Sequence, residues 1–158
     1  MDRRASLTCT VLAALALSGG ACDEGGDTSE SETDGLPECV SYELDACALL
    51  YPPTYAQVWT QTLSTGCAQV GGACHAQGDA AGAIHGLTFT DPQLSWDHML
   101  AGDAALVSPG DPLCSPLFVR LAIDDPSLRM PPGASGLDPK VLCSVGTWIA
   151  DGAMYEQP

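Results

Sequence analysis

The apolar positions of the chain fall into four stretches with helical spacing, separated by segments rich in Gly and Pro. Pro52-Pro53-Thr54 opens the first, and Tyr55, Val58, Trp59 and Leu63 then recur at helical intervals up to Gly66. Asp91-Pro92 pairs an N-cap residue with a proline in the first turn, and Leu94, Met99 and Leu100 continue a short helix that Gly102 ends. The same signal recurs at Asp111-Pro112, ahead of a stripe of Leu113, Leu117, Phe118 and Leu121 that Asp124-Asp125-Pro126 breaks. It appears once more at Asp138-Pro139, ahead of Val141, Leu142, Val145, Trp148 and Ile149, with Gly152 as the stop. Strand-like alternation is confined to Leu87-Thr88-Phe89. The pattern predicts a mostly α domain of three to four helices with long loops, and long ordered loops in a small helical domain usually wrap something.

Upstream of these helices the sequence is of another kind. Met1-Asp2-Arg3-Arg4, the apolar run Val11 to Leu17 and Ser18-Gly19-Gly20-Ala21 form the basic, apolar and small-residue parts of an export signal. The run is far shorter than the ~20 residues that span a bilayer. Cys22 follows directly, and the arrangement resembles the lipobox of bacterial lipoproteins, with Gly19 where that family prefers Leu. The resemblance implies that residues 1–21 are removed, that Cys22 is lipidated, and that the mature protein is anchored to a membrane of the bacterial cell envelope, in the periplasm or facing the outer membrane. Ordinary cleavage to a secreted protein is the alternative. Residues 22–38, dominated by Gly, Ser, Thr, Asp and Glu, cannot bury enough surface to order themselves and predict an acidic, flexible, disordered tether. Residues 39–158 then form the folded domain.

Charge and cysteine content narrow the function classes. Five Lys and Arg stand against twenty Asp and Glu, a formal net charge of -15 over 158 residues. Nucleic acid and anionic lipid head groups are poor partners for such a chain. With two Phe, three Trp and four Tyr, the core leans on Leu, Val and Ala, and a core that small needs staples or a cofactor. Eight Cys point to an oxidising compartment or to covalent cofactor chemistry. Without Cys9 and Cys22, an even set remains: Cys39, Cys47, Cys67, Cys74, Cys114 and Cys143. Local spacing favours a Cys39–Cys47 bridge, which leaves Cys114 and Cys143 to join two helices.

Two loops carry the candidate chemistry: Cys67-Ala68-Gln69-Val70-Gly71-Gly72-Ala73-Cys74-His75 after the first helix, and Arg129-Met130-Pro131-Pro132-Gly133 ahead of the last. In c-type haem attachment two Cys thiols add to the haem vinyl groups and the adjacent His reaches the iron, while a distant Met closes the other face. Pro131 and Pro132 stiffen the backbone beside Met130. Together with Val107-Ser108-Pro109-Gly110-Asp111-Pro112 and Trp148-Ile149-Ala150-Asp151-Gly152-Ala153, these loops make the stretch from about 52 to 155 resemble the small extracytoplasmic cytochrome-c-like domains of bacterial lipoproteins. That resemblance implies a cytochrome c fold, one covalent haem c held by Cys67 and Cys74, and His75 and Met130 as axial iron ligands. It implies one-electron transfer as the function, and the acidic surface then suits a basic redox protein as partner.

The departure from the family is the spacer, since six residues separate Cys67 from Cys74 where the typical motif has two. A Cys67–Cys74 disulfide in a haem-free, stapled envelope lipoprotein with a structural or protein-binding role is the alternative. In that case His75 is a surface residue and Met130 a core filler. Met99, His85 and His98 are substitute ligands to weigh, although His85 with the thiolates matches no zinc framework. Trp59, Trp96 and Trp148 would pack around a ring, and Arg120 and Arg129 would meet haem propionates or neighbouring acids. No Ser/His/Asp set, Gly-x-Ser-x-Gly elbow or His-Glu-x-x-His motif is present, so the sequence reads as a non-enzyme.

Overall fold

The first predicted helix forms and then changes type. In the computed structural model, which describes residues 35–68, 75–76, 83, 86–101, 105–133 and 135–158, helix α1 (Tyr55–Val58) runs directly into a π-helical segment, Trp59–Cys67. Thr54 caps it by accepting the Gln57 N–H. The wider turn shows in the bonding: the Ala68 N–H donates to the Leu63 carbonyl at 3.0 Å, and the Ser64 hydroxyl donates to the Trp59 carbonyl at 2.9 Å, each five residues back. The buried stripe is Tyr55, Val58, Trp59, Thr62 and Leu63. Thr62 is tolerated there because its hydroxyl pairs with the Tyr51 hydroxyl at 2.5 Å.

Three α-helices follow: α2 (Pro92–Ala101), α3 (Pro116–Ala122) and α4 (Pro139–Ala150). The described residues are thus mostly helical and contain no strand. Asp91 and Asp138 cap α2 and α4 as expected, accepting the Leu94 and Lys140 N–H groups at 2.8 Å each. Leu94 departs from expectation at 67% exposed, whereas Ser95 and Met99, four residues apart, form the buried face of α2. The third helix starts later than its Asp-Pro signal. Asp111 accepts the Cys114 N–H within a turn, the Ser115 hydroxyl bonds back to the Asp111 carbonyl at 2.7 Å, and the helix proper begins at Pro116.

The disulfides correct the expected pairing. Cys39 bonds Cys114 and Cys47 bonds Cys143, not Cys39 with Cys47 and Cys114 with Cys143. The reason is the path of the segment before α1, which crosses α3 and α4 instead of folding on itself. The Val40 N–H donates to the Leu113 carbonyl at 2.9 Å, the Tyr42 hydroxyl donates to the Pro139 carbonyl at 2.8 Å, and Leu44 covers Gly146. Cys39 is thereby carried to the turn before α3 and Cys47 to α4.

The core collects Tyr55, Val58 and Leu63 from the first helical stretch, Met99 from α2, Phe118 and Leu121 from α3, and Val145, Trp148 and Ile149 from α4. Gly146 lets α4 approach α3, for a β-carbon there would lie 2.9 Å from Phe118 Cε2. Ser144, also buried on α4, accepts the Leu50 N–H at 3.0 Å and donates to the Tyr51 carbonyl at 3.0 Å, tying the pre-α1 segment down. The Val107–Pro112 motif docks on the end of α4, where the Gly110 N–H reaches the Ile149 carbonyl at 2.8 Å. No helix among the described residues is long and apolar enough to cross a membrane.

Candidate functional site

Cys67 is the last residue of the π-helical segment, half-buried against the core. Cys74, like Cys22 and His85, lies outside the described residues. The chain nevertheless returns to Cys67 at once afterwards, because the His75 N–H donates to the Cys67 carbonyl at 3.0 Å. An α-turn makes that bond between residues four apart. Two intervening residues between the cysteines would place the first Cys and the His at that separation. Here the same pair of groups meets although four further residues intervene, so the long spacer does not keep the two ends of the motif apart.

His75 is held from three directions. Its carbonyl accepts the Phe89 N–H at 2.7 Å, and its ring lies 5.2 Å from that of Phe89, which connects it to Trp59 and the core. Its Nδ1 is 3.1 Å from the Leu87 carbonyl oxygen. A carbonyl only accepts, so Nδ1 carries the hydrogen and, in the neutral ring, Nε2 keeps the lone pair. The Leu87-Thr88-Phe89 segment, expected as the one short strand, is therefore not a strand; it is the stretch that grips His75 by main chain and side chain. The sequence pointed to His75 but not to Leu87, whose contribution is a backbone atom with no residue signature.

Met130 is half-buried and packs against the same core. Its loop folds back on α3: the Met130 N–H donates to the Arg120 carbonyl at 2.8 Å, and Arg120 Nη1 donates to the Leu128 carbonyl at 3.2 Å. Ser127 donates to Asp125 through its hydroxyl and its N–H, which lowers the Asp125 carboxyl from its ordinary value. Arg129 reaches the Asp124 carbonyl at 3.5 Å, so this loop is braced by its own acids and carbonyls. The Met130–Pro131 peptide is cis. Cys67 and His75 are thus brought into direct contact, while Met130 borders the shared core from another loop.

Among the substitute ligands, Met99 is fully buried in the core, and His98 is exposed on α2. His98 lines an open groove of about 420 Å³ with Gly86, Thr88, Leu94, Asp97 and Ala101, and none of Cys67, His75 and Met130 lines it. No group of three or more His, Cys, Asp or Glu among the described residues is arranged to hold a metal ion. Trp59 and Trp148 are core residues, and Trp96 is half-buried with its Nε1 donating to the Ala153 carbonyl at 2.8 Å.

Burial raises the Tyr51 hydroxyl above its ordinary value, the hydrogen bond with Thr62 opposes that shift, and the nearby Cys67 sulfur adds to it. The surroundings of Tyr51 therefore disfavour its deprotonation. Comparison with protein-family models, characterised proteins and solved structures gave no match to this chain.

Proposed function

We propose that this protein is a lipid-anchored, monohaem c-type cytochrome-like protein that transfers single electrons at a cell-envelope surface. The observation that carries the reading is the His75 Nδ1 contact with the Leu87 carbonyl, which leaves Nε2 as a fixed lone pair suited to an iron. A surface histidine after a disulfide has no need of such an orienting partner. The residue types are those of a c-type haem site: the Cys67 end meets the His75 end, and Met130 offers a thioether from a loop tied to α3. When bound, haem supplies reversible exchange between ferric and ferrous iron. The chain's own residues orient the imidazole through Leu87 and pack it against Phe89, with the core behind. The acidic surface suits a basic redox protein, with short-lived, salt-sensitive encounters, and disfavours nucleic acid.

A second reading has its own support. Two disulfides and the apolar core already join α1, α3, α4 and the pre-α1 segment with no cofactor, as a haem-free stapled envelope lipoprotein with a structural or protein-binding role requires. One experiment separates the two. The full chain is exported to a periplasm with haem-maturation enzymes, and its oxidised and reduced absorption spectra are read beside the denatured mass. A reduced c-type band with a mass larger by one haem is the expected result. No band, with a mass lowered only by disulfide hydrogens, sinks the electron-transfer reading.

A further inference from the structure

Residues 86–89 are clamped on two sides. Toward the cysteine motif, Leu87 and Phe89 bond His75 as described. Toward α2, the Ser95 hydroxyl lies 2.6 Å from the Thr88 carbonyl, and Gly86 packs beside the His98 ring. Ser95 is 2% exposed and stands on the inner face of α2, where helical patterning calls for an apolar side chain. A buried hydroxyl persists only where it is used. Its single proton is shared with the Asp91 carbonyl at 2.5 Å, the usual back-bond acceptor of a helical serine, so this one hydroxyl holds both carbonyls. The Thr88 contact is the part that leaves the helix, and Thr88 is the residue after the carbonyl that faces His75. Gly86 adopts φ +83°, and a β-carbon there would stand 3.3 Å from His98 Cε1, so the start of the strap is also fitted to α2.

We infer that Ser95 is a positioning residue for His75: by tying Thr88 to α2 it aims the Leu87 carbonyl at Nδ1 and so decides which ring nitrogen carries the proton. Its use rests on the reading of His75 as an iron ligand, but its test does not, because the tautomer is a property of the chain without haem. Released from Leu87, a neutral ring exchanges toward the Nε2–H form, in which the nitrogen meant for iron is blocked. An imidazole that loses its Nδ1 acceptor is also a less basic ligand.

The test uses the full chain made without haem maturation, with ¹⁵N-labelled histidine, at pH 8 where imidazoles are largely neutral. Ring nitrogen shifts report the tautomer. Wild-type His75 is expected almost wholly as Nδ1–H, Ser95→Ala as a mixture with a large Nε2–H share, and Ser95→Thr as a return to wild type. Gly86→Ala, which strains the other anchor, is expected to act in the same direction. An unchanged Nδ1–H population in both Ser95→Ala and Gly86→Ala overturns the inference. If the haem-free chain does not fold, the midpoint potential of the haem-loaded chain takes over as the readout. Ser95→Ala then shifts it upward and Ser95→Thr restores it, and a potential that does not move overturns the inference. A chain whose mass shows no haem under maturation conditions fails the electron-transfer reading and leaves the tautomer result standing.

Discussion

The His75 N–H and the Cys67 carbonyl meet at 3.0 Å, closing a chain segment that is twice the length of an α-turn. Deleting residues 69–72 converts this contact into an ordinary helical hydrogen bond and leaves two residues between Cys67 and Cys74. The shortened chain is expected to keep the fold and, if the protein carries haem, to incorporate at least as much as wild type. Haem stoichiometry by denatured mass checks the second point and far-ultraviolet circular dichroism the first. A haem-free protein gains nothing from the deletion.

At Gly146, α4 lies close against Phe118 of α3. In Gly146→Ala the new methyl meets Phe118 Cε2 at 2.9 Å and Leu44 Cδ2 at 2.5 Å. Leu44 is half-buried and able to turn away, but Phe118 is fully enclosed. Overpacking of about 1–3 kcal/mol outweighs the roughly 1 kcal/mol that alanine gains over glycine inside a helix. Urea unfolding is expected to show a net loss of about 1 kcal/mol.

Peptide mapping under non-reducing conditions is expected to recover Cys39 with Cys114 and Cys47 with Cys143. Their sequence separations of 75 and 96 make each an expensive contact to form by chance in the unfolded chain. Replacing Cys47 and Cys143 together by Ala is expected to lower stability by about 2–5 kcal/mol in denaturant titration. Recovery of a Cys39–Cys47 peptide instead refutes the path drawn for the pre-α1 segment.

Alkali is expected to unfold the protein earlier than its core alone predicts. Burial raises the Tyr55 hydroxyl well above the ordinary tyrosine value, and neighbouring Tyr155, Asp91 and Asp97 push it the same way. The folded state therefore keeps a proton that the unfolded chain loses near pH 10, and stability falls as pH rises past that point. Tyr55→Phe is expected to cost about 1 kcal/mol at pH 8, through the lost hydrogen bond to the Pro92 carbonyl, and to flatten the decline between pH 9 and 11. Denaturation midpoints across that range for the two proteins measure both effects.

The helical class was legible because burial repeats along a helix: Tyr55, Val58, Trp59, Leu63, Leu142, Val145, Trp148 and Ile149 all lie inside. The caps at Asp91 and Asp138 were legible because a carboxylate and a following proline act within one turn. The sequence also singled out His75, through its place beside Cys74. What it could not contain were relations between distant segments. The disulfide pairing follows from a segment that crosses α3 and α4, and nothing in the spacing of Cys39 and Cys47 encodes that crossing. The helical stripe expected through Leu94 leaves Leu94 exposed and buries Ser95 instead, because only the folded strap offers Ser95 a carbonyl from another segment. Periodicity, caps and cofactor-type motifs are local and survive in a single sequence. The tautomer of His75, the closure at Cys67 and the choice of cysteine partners each depend on a backbone group brought from elsewhere, and backbone groups are the same in every residue.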